Sequence, residues 1–417
     1  MRPRAPRRTL VLAGAAILAG LLVRGIATFG VVPYLEQAEN VGSTPDDYVG
    51  LARCLASEGT LAFPPCASPT TLRGPGFPAW LALPLLPLPR LSDRALAFWG
   101  AIPSILIGGL LVAWCERRLG LAAALLAAGV LLHPLPVFMT ARGMSDEAMG
   151  SLAVAGIVLA VEKRTLPAAL CLGAAMLVRA NAAIALAALA VVSVGGGRAA
   201  LRRFAPLAAL ALLPALAWSI RSSALEGRPV FVHSLGAYSF WIGEFIDSSG
   251  GRYAPSDWSR MHLEIARRGG GEPTDPGRFW YASLTPRETA RLEAALTRAA
   301  VERIREAPAA FAGRVLRGLP RFWVGASTEQ RSRQYALITA PVLLLAAIGA
   351  VRLGRAPIRW PLAVFVAGTC LLFAATEPIA RASVEVYPAL ALLAAAALLP
   401  PTSSPREARA RSGLRRC

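Results

Sequence analysis

The sequence predicts an all-α polytopic membrane protein with about ten transmembrane helices, and three observations carry that expectation. Hydrophobic residues fill 55% of the 417 positions and charged residues only 17%, with a mean hydropathy of +0.50, a balance foreign to a string of soluble domains. Apolar stretches of spanning or near-spanning length recur along the chain. The basic residues, all arginine apart from Lys163, fall in short clusters between those stretches. A formal charge of +19 would suit a nucleic-acid binder if it formed one surface; dispersed between spans it reads as topology, and no nucleic-acid partner is expected.

The first element, "MRPRAPRRTLVLAGAAILAGLLVRGIATFG", has a basic head and an apolar run. A cleaved signal peptide has the same start. Here the apolar run continues past Arg24 to about Val32 without a clean small-x-small site, so it reads as an uncleaved anchor. The predicted spans lie at about 9–31, 95–115, 119–141, 146–161, 166–178, 182–196, 203–220, 334–351, 359–375 and 383–400. Those at 146–161, 166–178 and 182–196 fall short of the roughly 20 residues that cross a bilayer, and need snorkelling flanks or a turn inside a protein cavity. With a cytoplasmic N terminus, the inside segments are the head, residues 116–118, 162–164, 195–203 and 352–359, and the tail "PREARARSGLRR". Each is arginine-rich, as the positive-inside rule requires. Counting "GPGFPAWLALPLLPLP", residues 74–89, as an eleventh span would put most later clusters outside; its prolines and short length suit an interfacial or re-entrant segment.

The chain then divides into an N-terminal transmembrane module, 1–221, containing a first outer loop at 32–94; an outer loop region, 222–333; C-terminal spans, 334–400; and a basic cytoplasmic tail, 401–417. The outer region begins irregular and glycine-rich and ends in helices. In "TPRETARLEAALTRAAVERIRE", Thr285, Pro286 and Glu288 make a capping box, and Leu292, Leu296, Val301 and Ile304 an apolar stripe. Pro308 stops that helix. Cys54 and Cys66 share the first outer loop, where a disulfide and two unpaired thiols are both open readings. No P-loop, dinucleotide fingerprint or zinc spacing is present.

Polar residues near span ends are functional candidates by default: Asp46, Asp47, Arg73, Asp146, Glu147, Arg179, Arg221, Glu244, Arg381 and Glu385. Each has an ordinary reading. Asp46 and Asp47 can cap the helix "YVGLARCLA", Asp146 can cap its own span, and Arg179, Arg221 and Arg381 can be turn or surface anchors. His133, His233 and His262 are scattered and read as structural.

The whole chain resembles the polytopic GT-C glycosyltransferases of the protein mannosyltransferase and aminoarabinose transferase type. "DDYVGLARCLASEGTLAF" resembles their first-loop acid and Y-x-x-L-A helix, and "SPTTLRGPGFPAWLAL" their R-x-P-G-Y-P-x-x-L-A segment, with Phe77 for tyrosine. "RGMSDEAMGSLAVAGI" is similar to their Ser-acid start of a span, and "LGAAMLVRANAAIAL" to their L-x-R-P turn, with Ala180 for proline. "AWSIRSSALEGRPVFVHSLGAYSFWIGE" resembles their W-x-x-R-N…G-x-N-L-W-x-G-N stretch, with Ser222 and Glu244 for asparagine, and "EPIARASVEVYPALALLAA" their arginine-bearing segment before a proline-led last span. The family's catalytic aspartate usually stands four residues before the helix tyrosine, where this chain has Thr44 before Tyr48. Either a small deletion shifts the loop and Asp47, or else Asp46, serves as base, or activity is altered or lost.

The resemblance implies a GT-C fold with periplasmic juxtamembrane helices, in the inner membrane of a bacterium. It implies an inverting transfer of a sugar from a polyprenyl-phosphate donor to a lipid, glycan or protein acceptor on the periplasmic face. Arg73, Arg179, Arg221 and Arg381 would bind the donor phosphate, Asp47 or Asp46 would take the acceptor proton, and Asp146 or Glu147 would be a supporting acid. Tyr48 and Glu244 would contact sugar or acceptor. No cofactor is required, a divalent cation beside Asp146 or Glu147 being the one candidate. A flippase of lipid-linked glycans and a non-catalytic relative are the alternatives; the charges gathered at one face favour surface chemistry over a mid-membrane pathway.

Overall fold

The computed structural model describes residues 6–34, 46–251, 257–270 and 283–400. Thr44, the basic tail and parts of the glycine-rich outer segment lie outside the described residues. The described residues are 81% helical, and the only extended pairing among them is one isolated bridge, Ala62 to Pro69.

Among the described residues, five helical stretches are long and apolar enough to cross a bilayer: Arg7–Tyr34, Asp93–Leu119, Gly197–Glu226, Glu329–Arg352 (α15) and Ala380–Leu398. The first contains α1 (Pro6–Ile26) running into a π turn. The expected span at 119–141 is instead two helices, α5 (Leu121–Leu131) and α6 (Pro134–Ala141), meeting at 46°. Pro134 and Pro136 lack the amide protons a continuous helix needs there, and the His133 ring caps the new start by accepting from the Leu135 amide at 3.3 Å. As one broken span the pair would bring the total to six. The remaining apolar stretches form shorter helices: α7 (Asp146–Val161), α8 (Thr165–Val178), α9 (Ala183–Gly195) and α16 (Arg359–Ala375). Every apolar stretch is therefore helical, while ten complete crossings remain an expectation of the charge pattern.

Burial is uneven. The last stretch, which opens as a 3₁₀ turn (Ala380–Val386) and continues as α17 (Tyr387–Ala395), has 89% of its apolar window buried, against 17% for the first. Its alanines let neighbouring helices approach closely, so it forms the centre of the bundle. The peripheral α1 is fastened by polar contacts. Thr9 donates to the buried Glu116 of α4 (Asp93–Leu119) at 2.7 Å, and Arg24 pairs with Glu147 of α7.

Between the first two long helices, α2 (Tyr48–Glu58) and α3 (Gly76–Ala82) accompany a disulfide between Cys54 and Cys66, with Cα atoms 5.5 Å apart. A cross-link across so short a loop contributes about 2–4 kcal/mol by constraining the unfolded chain. Cys54→Ser is expected to lower the melting temperature of the purified protein, and reductant to lower that of the wild type but not of the variant.

Between α10 (Gly197–Glu226) and the fourth long stretch, α11 (Gly236–Ser248), α12 (Asp257–Arg268), α13 (Pro286–Glu306) and α14 (Pro308–Val324) pack together. The Thr285 capping box forms. The stripe of α13 runs through Leu292, Leu296 and Ala300; Val301 is 39% exposed, because it falls one position past the buried face. Pro308 serves as the first residue of α14 as well as the stop of α13. Glu293 of α13 accepts from the Ala237 and Tyr238 amides at 3.1 Å each, supplying from a neighbour the cap that α11 lacks. The buried Arg314 of α14 donates to the Phe240 and Ala375 carbonyls, holding α11 against the end of α16.

Candidate active site

The site is built where short helices end. At the start of α2, Asp47 has φ 49° and ψ 32°, a left-handed conformation that aspartate tolerates better than most residues, and its carboxylate accepts from the Gly50 amide at 3.3 Å. That turn sends the preceding side chain, Asp46, the other way, into ion pairs with Arg381 and, at 3.6 Å, with Arg73.

Arg73 reaches this point because Gly74 has no side chain. A Cβ there would fall 2.3 Å from the Leu177 carbonyl oxygen, so only glycine lets the segment lie against the end of α8. Beyond α8, Arg179 has extended backbone, which ends the helix and frees its guanidinium. It donates to Asp146 at 2.5 Å and pairs with Glu385 at 3.3 Å. Asp146 lies in the first turn of α7. One turn later a Cβ on Gly150 would fall 2.0 Å from the Glu385 carbonyl oxygen, so glycine allows the 380–386 turn to press on α7. This contact brings Arg381 within 3.5 Å of Asp146. The Tyr48 hydroxyl accepts from Ser145 at 3.0 Å, and its ring packs edge-on against Phe77.

These groups open onto one cavity of about 420 Å³, whose wall includes Asp46, Tyr48, Arg73, Asp146, Arg179 and Arg381. It lies at one end of α7, α8, α9 and α16; the opposite ends of these helices carry the arginine-bearing turns at 162–164, 195–203 and 352–359.

Five other sequence candidates do not line it. Glu385 is buried behind the wall, paired with Arg179. Asp47 is spent on capping. Glu147, adjacent to Asp146 on a helix, points about 100° away and meets Arg24 and Thr140 in a separate buried cluster. Arg221 stacks its guanidinium 4.3 Å over the Trp218 ring of its own helix, α10 (Gly197–Glu226). Glu244 lies one turn too far along α11 and pairs with Arg314 at 3.2 Å. Conversely, the cavity wall holds His233 and His262, which the sequence offers only as structural residues, and Asn181 and Glu377, which sequence reasoning passes over. The signal for Glu377 was its place in "TEPIAR", four residues before the candidate Arg381.

The electrostatics divide the acids. Burial pushes the Asp46 carboxyl up, but Arg381, Arg73 and Arg179 together outweigh it and hold the pKa well below the carboxylate range. Asp47 is raised, by burial, against the Gly50 amide that donates to its carboxylate. Glu377 is raised too, by burial, with Arg381 opposing and Asp46 adding. Burial, then Arg73 and Arg179, push His233 down to about 3, so it stays neutral and accepts the Ala180 amide at 3.4 Å. Among the described residues no group of three or more His, Cys, Asp or Glu is placed to hold a metal ion; Asp146 and Glu147 each turn to an arginine instead.

No family model matches the chain and no curated protein matches it. Among solved structures, the archaeal oligosaccharyltransferase AglB from Archaeoglobus fulgidus, in complex with an inhibitory peptide and a dolichol-phosphate, matches over 92% of this chain with a TM-score of 0.52 at 14% identity. The chain shares its fold with that membrane oligosaccharyltransferase. It spans half the length of that oligosaccharyltransferase. ArnT from Cupriavidus metallidurans also matches, in the apo state (16% identity, 86% of this chain and 73% of that one, TM-score 0.37) and bound to undecaprenyl phosphate (15%, 94% and 78%, TM-score 0.40).

Proposed function

We propose that this protein is a membrane glycosyltransferase that moves a sugar from a polyprenyl-phosphate donor to an acceptor at the periplasmic face of a bacterial inner membrane, both termini being cytoplasmic. The observation that carries the reading is the convergence of Arg73, Arg179 and Arg381, from three distant parts of the sequence, on one cavity at the helix ends opposite the arginine-rich turns. A guanidinium cluster suits a lipid phosphate, which it can hold bidentately while the leaving group gains charge. In the protein alone the cluster is balanced by Asp46, Asp146 and Glu385. An arriving phosphate competes for Arg381 and Arg73, leaving Asp46 ionised beside the sugar. There its charge favours the positive character that builds on the anomeric carbon as the bond to phosphate breaks. Leu83, Leu86 and Leu88, exposed beyond α3, offer an apolar wall for the polyprenyl chain. Attack by an acceptor hydroxyl from the far side inverts the anomeric centre in one displacement. Tyr48 is placed to contact the sugar; Arg221 and Glu244 face other partners and take no part.

The test is transfer of radiolabelled sugar from a panel of undecaprenyl-phosphate-linked donors by membranes containing the wild type and Arg381→Ala. Transfer by the wild type, reduced about 100-fold or more in the variant, supports the reading. Movement of the donor across the bilayer without release of the lipid phosphate would overturn it in favour of a flippase.

A further inference from the structure

The proposed reaction leaves one proton without a destination. As the acceptor oxygen bonds to the anomeric carbon, the bond from that carbon to phosphate breaks, the phosphate leaves with the electron pair, and the hydroxyl proton must go to a base. Asp46 and Asp146 are poor candidates: Asp46 is committed to the charge that builds on the anomeric carbon, and Asp146 stays between Arg179 and Arg381. The third carboxylate on the cavity wall differs. Among the described residues, Glu377 makes no side-chain hydrogen bond or ion pair, yet it faces the same space as the other two.

Its position is built in. Pro378 disfavours helix at the residue before it, so α16 stops at Ala375 and Glu377 stands in the connecting loop. The loop is fixed on its far side, where the Ala380 amide donates to the Gly325 carbonyl at 2.9 Å. The carboxylate is therefore held in place by backbone while its oxygens remain uncommitted.

We propose that Glu377 is the general base, taking the acceptor proton on a carboxylate oxygen during the displacement and releasing it to water afterwards. The proposal rests on the transferase reading above. The charged and titratable groups around Glu377 are Arg381, Asp46, Arg179 and Asp146, with Arg73, His233 and His262 further along the wall. Burial, offset in part by Arg381, lifts its pKa above the ordinary glutamate value, towards the range in which a carboxylate accepts protons well. A carboxylate base is active above its pKa, so the acid limb of the rate profile should lie higher than 4.5, the ordinary glutamate value. Asp46, held lower, cannot produce that limb.

The experiment uses the purified full chain and measures two quantities: sugar transfer from an undecaprenyl-phosphate-linked donor across pH, and binding of undecaprenyl phosphate itself. Glu377→Gln is expected to lose about 100- to 10,000-fold in kcat, to lose the acid limb, and to bind undecaprenyl phosphate within about twofold of the wild type. Glu377→Asp should recover part of the rate and keep a limb. Two results overturn the assignment: Glu377→Gln transferring within about threefold of the wild type, or its loss of rate being matched by loss of lipid-phosphate binding. A wild type that neither binds undecaprenyl phosphate nor transfers sugar would bring down the transferase reading itself, an outcome the glutamine variant cannot imitate.

Discussion

Asp46→Asn is expected to reduce sugar transfer by about 100-fold or more, while Asp47→Asn stays within about threefold of the wild type. The two residues are neighbours of one chemical type, so the contrast tests the geometry directly. At the first position a neutral amide cannot carry the charge that the pairs with Arg381 and Arg73 require. The arginines would remain close to Asp146 and Glu385, so the fold should persist. At the second position the substitution removes a charge of no use to the cavity and keeps both properties the backbone demands: asparagine caps helices as well as aspartate does, and adopts left-handed backbone as readily. Melting temperature and undecaprenyl phosphate binding should accompany the transfer rates, since a folded, binding-competent Asp46→Asn with lost turnover is the informative result. The reverse pattern, with Asp47→Asn inactive and Asp46→Asn active, would mean that the loop rearranges when donor binds.

This pair also marks how far the sequence could be read. Asp46 and Asp47 both stand out as candidates in the sequence, which offers little to separate them. What decides which one faces the cavity is the left-handed turn at Asp47, and no local pattern announces a left-handed residue other than glycine. Asp146 and Glu147 pose the same problem on a helix, where one step of rotation separates the cavity from the α1 interface. By contrast Arg73, Arg179 and Arg381 are legible through the stretches that resemble the family's motifs, although Arg221 lies in such a stretch too and stacks on Trp218. The bend at "HPLP" between α5 and α6 could have been read from its prolines; the apolar run on both sides hid it. The misplaced Val301 has another origin. An amphipathic helix of mostly alanine, arginine and leucine offers two nearly equal stripes, and packing against α11 selects one of them.

The pair Arg24–Glu147 leads to the largest expected effect on stability. Both side chains are 3% exposed, between a peripheral α1 and the start of α7. Glu147 also accepts from Thr140, and Arg24 has a further acceptor in the Leu131 carbonyl at 3.4 Å. Removing one partner leaves the other as an uncompensated buried charge, which typically costs about 3–5 kcal/mol. Glu147→Gln should therefore melt well below the wild type, and Arg24→Leu similarly. Replacing both, as Arg24→Leu with Glu147→Leu, removes the buried charges together and should recover most of the loss, because the desolvation penalty of an ion pair largely cancels its attraction. The double variant separates two roles for Glu147. If it is the anchor of α1, the double variant transfers sugar at close to the wild-type rate per folded molecule. If Glu147 supports the chemistry, stability returns and activity does not.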